Sequence, residues 1–142
     1  MSSMQRTLDD LRDLGYEPAV VERFNRHAGE HGRFFDLYGL ADVEAIADDH
    51  TLYVQVCRVD DLTDHIGKAQ RMLLPRLKRD PRPPRTALEA LLASPARRFE
   101  IWSWGKRGRS WVARRWRAID ARSFAVVPFE TAPNPLREEV SV

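Results

Sequence analysis

The apolar period of this chain changes after residue 58, and that change limits the folds open to it. Residues 41–47 (ADVEAIA) alternate, with Val43, Ala45 and Ala47 on one side. Residues 48–50 (DDH) form a turn, and residues 51–58 (TLYVQVCR) are β-branched and apolar. A period of two marks strands with one face buried. Beyond them, Ile66, Ala69, Leu73, Leu74 and Leu77 recur at helical spacing. Asp60, Asp61 or Thr63 can cap this helix, which is predicted to run to about Leu77. Strands again follow it, at residues 97–104 (RRFEIWSW) and 110–119 (SWVARRWRAI), joined by a turn at 105–109 (GKRGR). A strand–helix–strand step can return the chain to one sheet by a right-handed crossover. The fold class is therefore α/β, a mixed five-stranded sheet with helices on its faces.

The remaining segments fit around that frame. Residues 7–15 (TLDDLRDLG) read as a helix capped by Thr7 and ended by Gly15, and Pro18 opens a second helix over 18–29. Residues 32–39 (GRFFDLYG) read as the first strand of an antiparallel meander with 41–47 and 51–58. Pro83 and Pro84 make 78–86 a connector, and Thr86 caps a short helix over 86–94. One domain spans 1–127, and 128–142, rich in proline, is an extended tail.

Composition bounds the setting. The single Cys57 cannot form an internal disulfide, which favours a reducing compartment. The first residues lack the apolar core of a signal peptide, and no apolar run is long enough to span a bilayer. The expectation is a cytoplasmic protein of a bacterial, archaeal or phage-infected cell. The net charge of +2 hides an asymmetry: residues 1–65 carry 14 acids and 6 bases, residues 66–142 carry 7 acids and 17 bases. A basic second half suits a polyanion, although arginine also covers ordinary solvated surfaces.

In "GLADVEAIA" a Gly precedes Asp42 at the head of a strand, and "VQV" places Gln55 near the end of the next strand, with a helix after it. This arrangement resembles the PD-(D/E)xK nuclease superfamily, in particular its archaeal Holliday-junction resolvase-like branch. The resemblance covers residues 18–119 as topology and rests on residues 39–57 as motif. It implies a restriction-endonuclease-like sheet, Mg²⁺ or Mn²⁺ as cofactor, DNA (branched or plain duplex) as substrate, and a homodimer. Asp42 matches the metal-binding aspartate, Gln55 stands at the glutamate position, and Glu22 matches the acid of the preceding helix. Asp42, the Gln55 side chain, the Val56 carbonyl and Glu22 are the implied metal ligands. Asp36 is the runner-up acid.

The chemistry suits these residue types. Phosphodiester hydrolysis uses a divalent ion to offset phosphate charge and to activate water, and Mg²⁺ prefers oxygen donors. Two departures stand out. Gln55 is neutral, and Cys57 occupies the position of the family's lysine. Lys68, on the following helix, is the best substitute, ahead of Arg58 and Arg71. Each residue also has a plainer role: Asp42 in a turn or strand cap, Gln55 as a satisfied polar group, Glu22 and Lys68 as solvated surface, Cys57 as a small core residue. His27, His31, His50 and His65 lack zinc-ligand spacing.

All four Trp lie between 102 and 116. Trp102 and Trp104 share a strand face and read as core, whereas Trp111 and Trp116 lie on opposite faces of the next strand. Lys106, Arg107 and Arg109 in the turn are candidate DNA contacts, with Arg58, Arg71, Arg82 and Arg85; Arg114, Arg115 and Arg117 follow on the strand. Three function classes remain open: a metal-dependent endonuclease, a catalytically degenerate nuclease fold that binds DNA or protein, and a structural component of a larger assembly.

Overall fold

The computed structural model describes residues 1–21, 23–25, 33–35, 40–75 and 78–128. The tail beyond Pro128, most of 22–39, and with them Glu22, Asp36, His27 and His31, lie outside the described residues.

Helix α1 covers Ser3–Asp13 and begins earlier than predicted. The Ser2 hydroxyl, not Thr7, caps it by accepting the Gln5 N–H at 3.1 Å. The apolar stripe reaches back through Leu8 and Thr7 to Met4, so Thr7 is an interior position of the buried face. Gly15 ends the helix at φ 93°, where the N–H groups of Gly15 and Tyr16 turn back to the Arg12 and Leu11 carbonyls.

The described residues of the segment predicted as a second helix are extended; 22 and 26–29 lie outside the described residues. Strand β1 spans Glu17–Val20 and β2 spans Arg23–Asn25. Pro18 suits the first turn of a helix, but it also suits an edge strand, and β1 is an edge. Among the described residues strand β3 (Arg33–Phe35) pairs only with β2, in a sheet separate from the predicted meander partners at 41–47 and 51–58. The partner of β4 (Val43–Ile46) is β1 instead, with β2 and β3 as an excursion between them.

Strand β5 covers Thr51–Arg58, as its alternation predicts. A 3-10 turn at Val59–Asp61 leads into α2, Leu62–Arg71. This helix stops well before Leu77, because Pro75 disfavours helix at the residue before it and lacks an N–H of its own. Residues 72–74 turn instead to the connector: Leu74 N–H reaches the Arg85 carbonyl, and Ala87 N–H the Met72 carbonyl. Thr86 then caps α3 (Ala87–Leu92) through the Glu89 N–H, as predicted.

Strand β6 is Arg97–Arg107 and β7 is Ser110–Ala118, both meeting at Gly108 and Arg109. Gly105, Lys106 and Arg107 belong to β6 rather than to a five-residue turn. A short β8, Phe124–Val126, adds the last edge. The sheet thus has six strands, not five, in the order β1-β4-β5-β6-β7-β8. Only β5 and β6 are parallel, and α2 and α3 lie on the crossover between them.

Alternation along the strands divides the core. Leu52, Val54, Trp102 and Trp104 face α1, whereas Cys57, Phe99 and Ile101 face α2 and α3. Trp102 and Trp104 are core residues, 1% and 3% exposed. No helix among the described residues is long and apolar enough to cross a membrane.

Candidate functional site

At the carboxyl end of β5 the sheet changes partner. Regular pairing of β4 with β5 stops at Val43, opposite Val54. Asp42 comes just before. Its N–H donates to the Val54 carbonyl, and its carbonyl accepts the Val21 N–H, each at 2.9 Å. Its side chain is folded onto β5: Oδ2 accepts the Gln55 Nε2 and the Val56 N–H, both at 2.9 Å. The carboxylate therefore supplies the acceptor for Val56 where the β4 ladder stops. Asp42 is 8% exposed, so this contact sits at the margin of the interior.

Three sequence-predicted residues, Asp42, Gln55 and Val56, are thus brought together. It is the N–H of Val56 that meets Asp42. A carboxylate and a carboxamide form a hard oxygen donor set of the kind Mg²⁺ takes. Among the described residues, no three His, Cys, Asp or Glu side chains gather with metal-ligand spacing. The helix expected to bring Glu22 is replaced by β1 and β2, and Glu22 itself lies outside the described residues.

Cys57, at the lysine position, is 7% exposed and packs beneath α2 and α3. Burial, then the Asp61 and Asp42 charges, push its thiol up to about 11. It is a neutral core residue at neutral pH. Lys68 lies exposed in the last turn of α2, and Arg71 ends the same helix, also exposed. Arg58 closes β5 and is exposed. Arg82 is held by Asp80 through its Nε and Nη2, while Arg85 lines an open cleft with Leu74, Pro83 and Glu89.

The basic residues of β6 and β7 separate into two sets. Glu100 is fully buried on the α1 side of the sheet. Its Oε1 accepts Arg115 Nε at 2.7 Å and Trp102 Nε1 at 2.9 Å, and its Oε2 accepts Arg117 Nη2 at 2.7 Å. Burial opposes ionisation of Glu100, and the two guanidiniums outweigh it and hold the carboxyl below its usual range. Arg115 and Arg117 are therefore committed inside the fold. Lys106, Arg107, Arg109 and Arg114 are exposed, and none forms an ion pair among the described residues.

Three relationships escape sequence reading. Arg6 of α1 lies over the Trp111 ring, 5.0 Å from its centroid, with Lys106 at 6.0 Å. Thr7 Oγ1 accepts Trp104 Nε1 at 2.9 Å. At the opposite end of the sheet, the Tyr16 hydroxyl meets His50 Nε2 at 2.7 Å, and His50 Nδ1 meets Asp49 at 2.6 Å. Burial, reinforced by Glu100, raises the Tyr16 phenol, so this chain of contacts fastens the α1–β1 corner to the β4–β5 turn rather than exposing a nucleophile. None of the three leaves a local signal, whereas Glu100 does: it is the one acid between residues 90 and 119, set in an apolar strand.

No protein-family model, curated protein or solved structure matches the chain.

Proposed function

We propose that this chain is a metal-dependent DNA endonuclease of the PD-(D/E)xK type, close to the Holliday-junction resolvase-like branch. The observation that carries this reading is the direct contact of Asp42 with Gln55 at the carboxyl end of β5. In open α/β sheets, ligands sit outside the carboxyl ends of strands where the topology switches. Here β5 meets an antiparallel partner on one side and a parallel one on the other. The order α1, β1, β4, β5, crossover helices, β6 supports the same reading, as does the basic β6–β7 turn rising from the same end of the sheet.

In this reading Asp42 and the amide oxygen of Gln55 hold Mg²⁺ or Mn²⁺, with Glu22 as a candidate third ligand. The ion, when bound, polarises the phosphate and lowers the pKa of an attacking water. Asp42 and Gln55 fix the scissile phosphate relative to the sheet, and exposed Arg58 and Lys68 offer positive charge to it. Water adds to phosphorus and one P–O bond breaks, leaving a phosphomonoester and a hydroxyl. The branch it resembles acts as a homodimer, which would set two such sites across a junction.

Cys57 favours a second reading. A neutral, buried thiol cannot replace a lysine near a transition state. The alternative is a nuclease fold that binds DNA without cutting it. The test is a labelled four-way junction beside a matched duplex, with Mg²⁺, Mn²⁺ or chelator. Metal-dependent cleavage that disappears in Asp42→Asn supports the nuclease. Salt-sensitive binding with no cleavage of either DNA, unchanged in Asp42→Asn, supports the binding module.

A further inference from the structure

Beyond Trp104, β6 has no partner in β5, which ends opposite it at Arg58. The ladder of β7 with β8 reaches no further toward the turn than Trp116. Residues 105–112 therefore form a two-stranded ribbon whose ladder is its own: Gly105 with Val112, Lys106 with Trp111, Arg107 with Ser110. We infer that this ribbon is an arm that enters the major groove of duplex DNA, gripping the flanking phosphates with Lys106, Arg107 and Arg109. The inference rests on the DNA reading above and deepens it.

Dimensions favour the groove. Gly105 lies against Val59, and the two residues past it rise about 7 Å at roughly 3.3 Å per residue, with the Gly108–Arg109 turn beyond them. The major groove is about 8.5 Å deep and about 12 Å wide, and it admits a two-stranded ribbon. Charge favours it as well. No acid lies between residues 101 and 119, and Glu100, further back on the same strand, is already occupied by Arg115 and Arg117. Lys106, Arg107 and Arg109 form no ion pair among the described residues.

The root of the arm is braced. Arg6 and Lys106 converge on Trp111 from different elements, and neither has a carboxylate partner among the described residues. Two such cations gathered on one ring make that spot positive. A phosphate beside them offsets that charge. Trp111 is 36% exposed, so the ring that meets the two cations is still open to a ligand. Arg6 is thus a further DNA-contact residue, brought to the arm by α1.

The test is binding of a fluorescein-labelled 20-base-pair duplex in chelator, titrated across salt, for wild type and Arg107→Ala/Arg109→Ala. Arg12→Ala/Arg122→Ala removes the same charge at the opposite end of the sheet. The arm variant is expected to bind at least tenfold more weakly at low salt. Its plot of log K against log salt should flatten by about 1.8, at roughly 0.9 per lost phosphate contact. The control should keep the wild-type slope. An arm variant that matches wild type in affinity and slope overturns the arm while leaving the nuclease reading intact. Wild type that neither binds nor cleaves DNA removes the nuclease reading and the arm with it. A-form RNA closes its major groove to side chains. Equal affinity for an RNA duplex of the same sequence would therefore also overturn groove entry.

Discussion

The Asp42 carboxylate accepts the backbone N–H of Val56, taking over where β4 stops pairing with β5. In the proposed function one residue thereby carries two duties: it completes a strand ladder, and it is the acid assigned to metal. The two duties can be separated by substitution.

Asp42→Ala removes the acceptor and strands the part-buried N–H of Val56. The expected cost is about 1–3 kcal/mol. Asp42→Asn keeps an oxygen for Val56 and removes the charge. It should unfold within about 1 kcal/mol of wild type while losing divalent-ion binding by calorimetry. If both variants lose stability equally, the carboxylate charge itself is structural, and loss of activity in either would say nothing about metal.

Glu100, itself fully buried, holds the partly buried Arg115 and Arg117 against the sheet, and Glu100→Gln leaves those guanidiniums without their counter-charge. Breaking a buried pair on one side costs about 3–5 kcal/mol. The carboxyl is depressed in the folded state. Its contribution is therefore complete above the unfolded value of about 4.3 and is lost as pH falls through the folded value. Wild type should lose stability below about pH 4, and Glu100→Gln should show a flatter acid limb in urea titrations. Identical acid limbs would remove Glu100 from the account.

Thr7 ties α1 to β6 through Trp104, two residues far apart in the chain. Thr7→Val keeps the shape and deletes the acceptor, leaving a buried indole N–H unpaired, at about 1–3 kcal/mol. Thr7→Ser should recover most of the loss. A Val variant as stable as wild type would show that the contact adds nothing beyond packing.

How far the sequence could be read follows from the range of each signal. The local patterns are legible: the alternation of β5, the Thr86 cap, the proline connector, the burial of Trp102 and Trp104. Misreadings come from residues with two meanings. Pro18 suits a helix start and an edge strand, and only the pairing of β1 with β4 decides between them. Pro75 ends α2, although the apolar spacing runs on to Leu77. Thr7 has the chemistry of a cap but the position of a core residue. In the site, Asp42 and Gln55 are legible because neighbouring strands bring them together. Arg6 on Trp111 depends on how α1 crosses the far end of the sheet, which no local pattern encodes. Arg114, Arg115 and Arg117 look alike in sequence. The register opposite Glu100 commits two of them and leaves the third exposed.

Cys57 offers the last check, because its state bears on whether the motif can work without a lysine. Burial beneath α2 and α3 raises the thiol to about 11. At pH 8 the thiolate fraction is then about two-hundredfold lower than for an exposed thiol near 8.5. Native protein should react with a thiol-specific disulfide reagent at least about a hundredfold more slowly than the same protein in denaturant. Divalent ion held by Asp42 should leave that protection in place. Fast native reaction would mean that Cys57 is open to solvent and ionised. It would then belong to the site's chemistry rather than to the core, and the comparison with a missing lysine would have to be redrawn.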